Sequence, residues 1–153
     1  MAFRRLTNND PALLKQLLTV FGEAFNEPDT YQGKVPGEAY LRALLSKEHF
    51  IVLVALEEHK VVGGLTAYVL DKFEQERKEI YIYDLAILED YRSRGIATKL
   101  VLQLKQIGKE LGAYVIFVQA DRGDTAAISL YKSLGTGEET YNFDIAITDT
   151  VNN

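Results

Sequence analysis

The chain has 153 residues, about one domain's worth, and 47% of them are apolar, enough for a sizeable core. Its 17 basic and 22 acidic residues leave a formal charge of −5, which argues against a nucleic-acid binder, whose docking face is normally basic. The absence of cysteine excludes disulfides, thiolate metal sites and a cysteine nucleophile.

No apolar run approaches the roughly 20 residues of a membrane span. The start, MAFRRLTNND, carries basic residues without the apolar stretch of a signal peptide behind them. A cytoplasmic protein with no metal and no membrane partner is the expectation.

The elements follow one another closely, without repeats or low-complexity linkers. Phe3–Leu6 reads as a short strand. Asp10 and Pro11 form an N-cap and a first-turn proline, and Leu13, Leu14, Leu17, Leu18, Phe21 and Phe25 mark one helical face. Asn26–Gly37 is an acidic and aromatic loop, followed by a helix from Glu38 to Ser46. Phe50–Leu56 and Val61–Leu70 are strand-forming runs joined by a hairpin over Glu57-Glu58-His59-Lys60, and a charged loop, Asp71–Lys78, follows.

Glu79–Leu88 (EIYIYDLAIL) is too continuously apolar for a surface strand and is expected at the centre of a sheet. A long amphipathic helix, Gly95–Leu111, ends at Gly112. Tyr114–Ala120 reads as a buried strand, Asp124–Leu134 as a helix closed by Gly135, and Thr140–Ile147 as a last strand. This order predicts a single α/β (α+β) domain over 1–153, a mixed sheet with helices on both faces.

The most informative stretch is EDYRSRGIATKL. A helix N-terminus presents unpaired N–H groups and a partial positive charge, and Gly95 lets backbone approach an anion, with small Ala97 beside it. Arg92 and Arg94 can add donors to phosphate oxygens. The glycine patterns of dinucleotide-binding folds and P-loops are missing, so the two commonest nucleotide sites are excluded.

Arg92-x-x-Gly95-x-Ala97, placed after a central strand and opening a long helix, resembles the acetyl-CoA-binding motif of the GCN5-related N-acetyltransferases (GNAT). The element order is similar over nearly the whole chain, including the helix AAISLYKSLG. Family members usually carry Asn near the start of that helix, where Asp124 stands here. The phrases KFEQERKEIYIYDLAI, RSRGIATKLV, LGAYVIFVQADRGD and FDI more narrowly resemble the type-I aminoglycoside 3-N-acetyltransferases, gentamicin-modifying members of the superfamily.

This resemblance implies that acetyl-CoA binds with its pyrophosphate at the backbone of Arg94, Gly95, Ile96, Ala97 and Thr98, with Arg92 and Arg94 near the phosphates. It also implies that the pantetheine arm lies along Leu85, Ala86 and Ile87, whose side chains by themselves read as core. An oxyanion would be stabilised by a backbone N–H near Ile87. Tyr131 falls where the family places the acid that protonates the departing thiolate. A homodimer is also implied.

Asp84 stands out without the resemblance. A charged side chain among strand aliphatics is costly unless it is paired or faces a cleft. Simple alternation puts Asp84, Ile82 and Ala86 on one face and Tyr83, Leu85 and Ile87 on the other. Asp84 either bonds a neighbouring arginine or the backbone, or it faces the acceptor amine, where the resemblance places an acid that orients the ammonium and assists its deprotonation.

Acids are scattered elsewhere at Glu27, Asp29, Asp121, Asp124, Glu138, Glu139 and Asp144. Of these, Asp121, Asp124 and Asp144 are the best placed to meet a polycationic aminoglycoside, and Tyr31 and Tyr83 could offer surface to sugar rings. Neither His49 nor His59 shows ligand spacing. The reading that follows is direct acetyl transfer to the 3-amino group of a 2-deoxystreptamine aminoglycoside. A polyamine, peptide or protein amine, or a non-catalytic acyl-CoA-binding module, are the alternatives.

Overall fold

The protein is seen as a computed structural model, which describes residues 1–148. The chain runs through β1 (Ala2–Arg5), α1 (Pro11–Ala24), α2 (Pro28–Gln32), α3 (Glu38–Leu45), β2 (Phe50–Glu57), β3 (Lys60–Asp71), β4 (Lys78–Ile87), α4 (Ile96–Leu111), β5 (Ala113–Val118) and α5 (Thr125–Leu134). It comprises two compact units, Met1–Gln119 and the segment from Ala120 onward.

In the first unit one five-stranded sheet has the order β1-β2-β3-β4-β5. The neighbours from β1 to β4 are antiparallel, and β5 joins β4 in parallel after the crossover through α4. Both faces are covered, which explains the unbroken apolar runs of β2 and β3. On one face Phe50, Val52 and Val54 pack with Leu14, Leu17, Val20 and Phe21 of α1 and with Leu41 and Leu45 of α3. The other face carries Ile51, Leu53, Leu65, Ala67, Ile80 and Ile82, all buried, as are Ile96, Leu100, Val101 and Leu104 of α4. Gly108 sets how closely α4 lies on β4: a Cβ there would stand 3.0 Å from Ile80 Cδ1.

Asp10 holds the N-cap position of α1, with Pro11 behind it, but its carboxylate does not cap the helix. It turns back and accepts from Arg4 Nη2 at 2.6 Å, from the Thr7 N–H at 2.8 Å and from Thr7 Oγ1 at 3.2 Å. A buried charge is thereby fully paired, and the link between β1 and α1 is fixed.

The predicted β2–β3 hairpin is present, with Glu57 opposite Lys60. Both central residues have positive φ, Glu58 at 48° and His59 at 68°, in the left-handed region that Asn and Gly tolerate far better. Replacing Glu58-His59 by Asn-Gly is therefore expected to stabilise the protein by about 1 kcal/mol. A urea titration should show a higher midpoint with an unchanged slope.

Two expectations about strands are corrected. Tyr114–Ala120 is expected to be buried, but among the described residues β5 has a single neighbour in the sheet, β4. Its Tyr114, Val115 and Phe117 are accordingly 50%, 39% and 37% exposed. An apolar run signals a strand but does not say how many neighbours it has.

The second correction concerns the segment from Ala120. It contains α5, and its described residues beyond Gly135 form neither helix nor strand. The predicted strand Thr140–Ile147 is absent, although Tyr141, Phe143, Ile145 and Ile147 alternate with β spacing. All four are at least 80% exposed. Alternation supplies a strand's faces, but a ladder also needs a partner edge, and this unit contains no other strand among its described residues.

Candidate active site

The site grows out of a defect in β4. Thr66 pairs with Asp84 and Ala67 with Ile82, so Tyr83 is an extra residue, a β-bulge. Cross-strand partners share a face, and successive residues Thr66 and Ala67 point to opposite faces. Asp84 therefore lies on the face opposite Ile82, which corrects the simple alternation drawn from the sequence. Tyr83 remains 62% exposed, and its ring meets Tyr68 and Tyr81, each with centroids 5.9 Å away. Tyr81 stacks on Phe117 at 4.7 Å, so an aromatic row runs from β3 across β4 to β5 beside Asp84.

The bulge also separates strands. The parallel pairing of β4 with β5 ends at Ile82 and Val118, whereas pairing with β3 continues to Ile87. From Tyr83 to Ile87 the outer edge of β4 has no strand against it among the described residues, and its backbone can take an extended ligand as an added strand would. The side chains of Ala86 and Ile87 are buried and that of Leu85 half-buried, as their core reading requires.

Asp84 is half-buried, and its partner comes from the other end of the sequence. The Tyr31 hydroxyl donates to both carboxylate oxygens, at 3.2 Å to Oδ1 and 3.2 Å to Oδ2. Burial disfavours the anion and is the main reason that Asp84 is pushed from 3.8 up to about 6; the Tyr31 hydrogen bond opposes this, and the charge of Glu27 adds to it. Tyr31 itself is held above the ordinary tyrosine range, first by burial and then by the charge of Asp84. A carboxyl group titrating near 6 is mostly ionised at neutral pH. It can hold an ammonium, and it is a far better proton acceptor there than an ordinary aspartate.

The turn after β4 begins with a single 3-10 turn, Glu89–Tyr91, and leads into α4. Ser93 and Gly95 both have positive φ, 63° and 77°. Gly95 thus reverses the chain and presents the N-terminus of α4, where Ile96, Ala97 and Thr98 are the first helical residues and no acid occupies the first turn. The two arginines brace this turn. Arg92 Nε donates to the Ile87 carbonyl at 3.0 Å, and Arg94 Nη2 donates to the Asp90 carbonyl at 3.0 Å. The Arg94 guanidinium also lies 5.2 Å from the centre of the Tyr91 ring.

Within the first unit the structure thus joins Asp84 to Tyr31 and Tyr83, and it ties the Arg92–Thr98 turn to the end of β4. The remaining expected site residues belong to the second unit. Tyr131 lies on α5, and Asp124 caps that helix by accepting from the Ala127 N–H at 3.1 Å. The Asp121 carbonyl accepts from the Asp124 N–H at 2.9 Å. Asp144, expected on a strand, lies in irregular chain with Asn142 Nδ2 at 3.4 Å.

His49 and His59 are exposed, and His49 pairs with Asp71 at 2.9 Å. No group of three or more His, Asp or Glu among the described residues is placed to hold a metal. None of the described helices is long and apolar enough to cross a membrane. The sequence reading missed the Tyr31–Asp84 bond and the influence of Glu27. The bond joins residues 53 apart, and no local pattern signals a contact of that kind.

β4, bulged beside a half-buried acid, thus opens through a glycine turn into an acid-free helix N-terminus. The chain belongs to the acetyltransferase (GNAT) family, whose model matches residues 14–136. That family uses acetyl-CoA as acyl donor.

The chain is similar to an aminoglycoside acetyltransferase from an uncultured soil metagenomic sample. The two share 53% identity and a TM-score of 0.94 over 96% of this chain and 98% of the other. A second aminoglycoside acetyltransferase from such a sample, solved in complex with sisomicin, is 34% identical with a TM-score of 0.89, over 96% of each chain. Among curated proteins, N-alpha-acetyltransferase 30 of Schizosaccharomyces pombe is 42% identical over 85 residues, which is 54% of each chain.

Proposed function

We propose that the protein transfers the acetyl group of acetyl-CoA to the 3-amino group of 2-deoxystreptamine aminoglycosides such as gentamicin, as a single N-acetyltransferase domain conferring antibiotic resistance. The observation that carries this is Asp84, a half-buried carboxyl at the bulge of β4, titrating near 6 beside exposed aromatic rings. It suits a cationic amine flanked by sugar rings. The identity of 53% over nearly the whole chain with an aminoglycoside acetyltransferase supports the choice of acceptor. The 3-amino position rests on the sequence resemblance.

In this reading the pyrophosphate of acetyl-CoA lies at the backbone of Arg94 through Thr98, and the pantetheine arm follows the open edge of Leu85, Ala86 and Ile87. Asp84 accepts a proton from the substrate ammonium, directly or through water. The freed lone pair attacks the thioester carbonyl carbon, and the C–S bond breaks as the amide C–N bond forms. Tyr131 gives its proton to the leaving thiolate and recovers one from the new amide nitrogen, so no acyl-enzyme is needed. Tyr131→Phe is then expected to lower kcat about 10- to 100-fold with little change in the KM for acetyl-CoA. Initial rates over a range of acetyl-CoA concentrations up to saturation check both.

Tyr31, Tyr83, Asp121, Asp124 and Asp144 are the proposed contacts to the aminoglycoside, the protein is proposed to act in the cytoplasm, and a homodimer is its proposed assembly. A peptide amine is the second reading, favoured by the identity of 42% with N-alpha-acetyltransferase 30 over about half of each chain. A thiol-release assay with gentamicin, sisomicin, spermidine and a short peptide separates the two. The proposal expects release with the aminoglycosides at least about 100-fold above the other amines in kcat/KM, a difference of at least about 2.7 kcal/mol in transition-state binding. Release confined to the peptide would contradict it.

A further inference from the structure

Tyr31 is proposed above as an aromatic contact to the sugar, and its hydroxyl makes a further contact of its own, to Asp84. It lies 3.2 Å from each Asp84 oxygen, so one O–H proton is shared between the two. The ring packs against two phenylalanines of the preceding segment. Its centroid is 5.8 Å from Phe21 and 5.7 Å from Phe25, and those two rings stack on each other at 5.7 Å.

The short helix that carries Tyr31 is itself anchored to α1. Glu27 N–H donates to the Gly22 carbonyl at 2.9 Å, and Gln32 Nε2 donates to Thr19 Oγ1 at 3.2 Å. Gly22 faces the same helix: a Cβ there would stand 3.2 Å from Gln32 Oε1 and 3.5 Å from Tyr31 Cβ. The hydroxyl is thus delivered to Asp84 by packing that does not depend on the carboxylate.

We propose that Tyr31 is a positioning residue for Asp84, whose hydroxyl fixes the rotation of the carboxylate and favours the anion that accepts the substrate's proton. This rests on the reading of Asp84 as that acceptor. A neutral donor shared across both oxygens stops the carboxylate from turning, yet leaves each oxygen with lone pairs for an incoming ammonium. A lysine or arginine in its place would hold the anion more strongly but would make it a poorer base and repel the cationic substrate. Tyrosine avoids both effects.

Among the described residues of the first unit, the titratable groups around Asp84 are Glu27 and Tyr31 from the turn and helix after α1, Tyr68 on β3, and Tyr81 and Tyr83 on β4. None of these is a cation, and Glu27 disfavours a second negative charge nearby. The hydroxyl of Tyr31 is the group in this set that acts in favour of the Asp84 anion, so its removal has a predictable sign.

Tyr31→Phe keeps the packed ring and removes only the donor. In the variant the acid limb of the kcat/KM–pH profile is expected to move up by about one pH unit. Activity at pH 6 then falls about fivefold, whereas at pH 8.5 it returns to within about threefold of the parent. A second readout is the carboxyl carbon signal of Asp84 in aspartate-labelled protein, identified by its loss in Asp84→Asn. Its titration midpoint should rise by the same amount in folded Tyr31→Phe.

A variant whose acid limb and carboxyl midpoint match the parent overturns the role of Tyr31, even if its rate is lower at every pH. Should that occur while Asp84→Asn is inactive, Asp84 remains the acceptor and only this inference falls. If instead Asp84→Asn retains parental activity from pH 6 to 9, the reading of Asp84 itself fails, and the inference fails with it.

Discussion

Asp84→Asn is expected to lower kcat/KM by about 100- to 10,000-fold, the usual range for removing a general base, while making the folded protein more stable above pH 6. The two effects have one cause. Asp84 is pushed from 3.8 up to about 6, chiefly because it is buried, so its anion is less comfortable in the folded protein than in the unfolded chain. A group with a raised folded-state pKa contributes stability that is complete below pH 3.8 and lost as the pH rises through about 6.

The asparagine has no charge to desolvate and still accepts from the Tyr31 hydroxyl, so it escapes that loss. The shift corresponds to about 1–3 kcal/mol at neutral pH. The Tm difference, variant minus parent, should be near zero at pH 4 and several degrees positive at pH 8. Thermal melts across that range and kcat/KM at pH 7.5 check both halves. An inactive variant that is also less stable at pH 8 would mean that Asp84 is a structural anchor.

The second large effect is expected at the start of α4. Thr98→Glu places a negative charge in a first turn that has no acid of its own. For the helix this is favourable by about 0.3–1 kcal/mol, because acids complement the positive end of its dipole. For acetyl-CoA it is adverse. A carboxylate some 5 Å from a pyrophosphate costs roughly 3 kcal/mol at an effective dielectric of 20. The expected result is an acetyl-CoA Kd raised about 30- to 300-fold with an equal or higher Tm.

That combination separates loss of binding from loss of folding, which a substitution at Gly95 would not. Gly95 has φ at 77°, where any Cβ is strained whether or not a ligand is bound. Calorimetric titration with acetyl-CoA at low and high salt completes the check, since the added repulsion should weaken as salt is raised. An unchanged Kd would move the pyrophosphate away from this turn.

How much of this could be read from the sequence depends on how local each feature is. The long helix declared itself through its amphipathic spacing between Gly95 and Gly112, and both glycines adopt the left-handed conformation, at φ 77° and 80°. The hairpin at Glu57–Lys60 and the helix capped by Asp124 were legible for the same reason, because turn and cap chemistry lies within a few residues. Asp84 was legible as an anomaly, a charge inside an apolar strand.

What the sequence hid was relational. EIYIYDLAI reads as strict alternation, and only pairing with β3 shows that Tyr83 is an extra residue and that Asp84 changes face. Tyr31 lies in a polar loop where nothing announces the short helix Pro28–Gln32 or a partner on β4. The apolar runs Tyr114–Ala120 and Thr140–Ile147 carry strand character, but burial and pairing depend on neighbours that a single stretch cannot specify.

The central claim is tested most directly by the position of the new acetyl group. Sisomicin incubated with acetyl-CoA and the protein, purified and assigned by NMR, should carry one acetyl group on the 3-amino nitrogen of its 2-deoxystreptamine ring. Acetylation at another nitrogen would keep the family chemistry but refute the proposed orientation over Asp84, and recovery of unmodified sisomicin would contradict the aminoglycoside reading altogether.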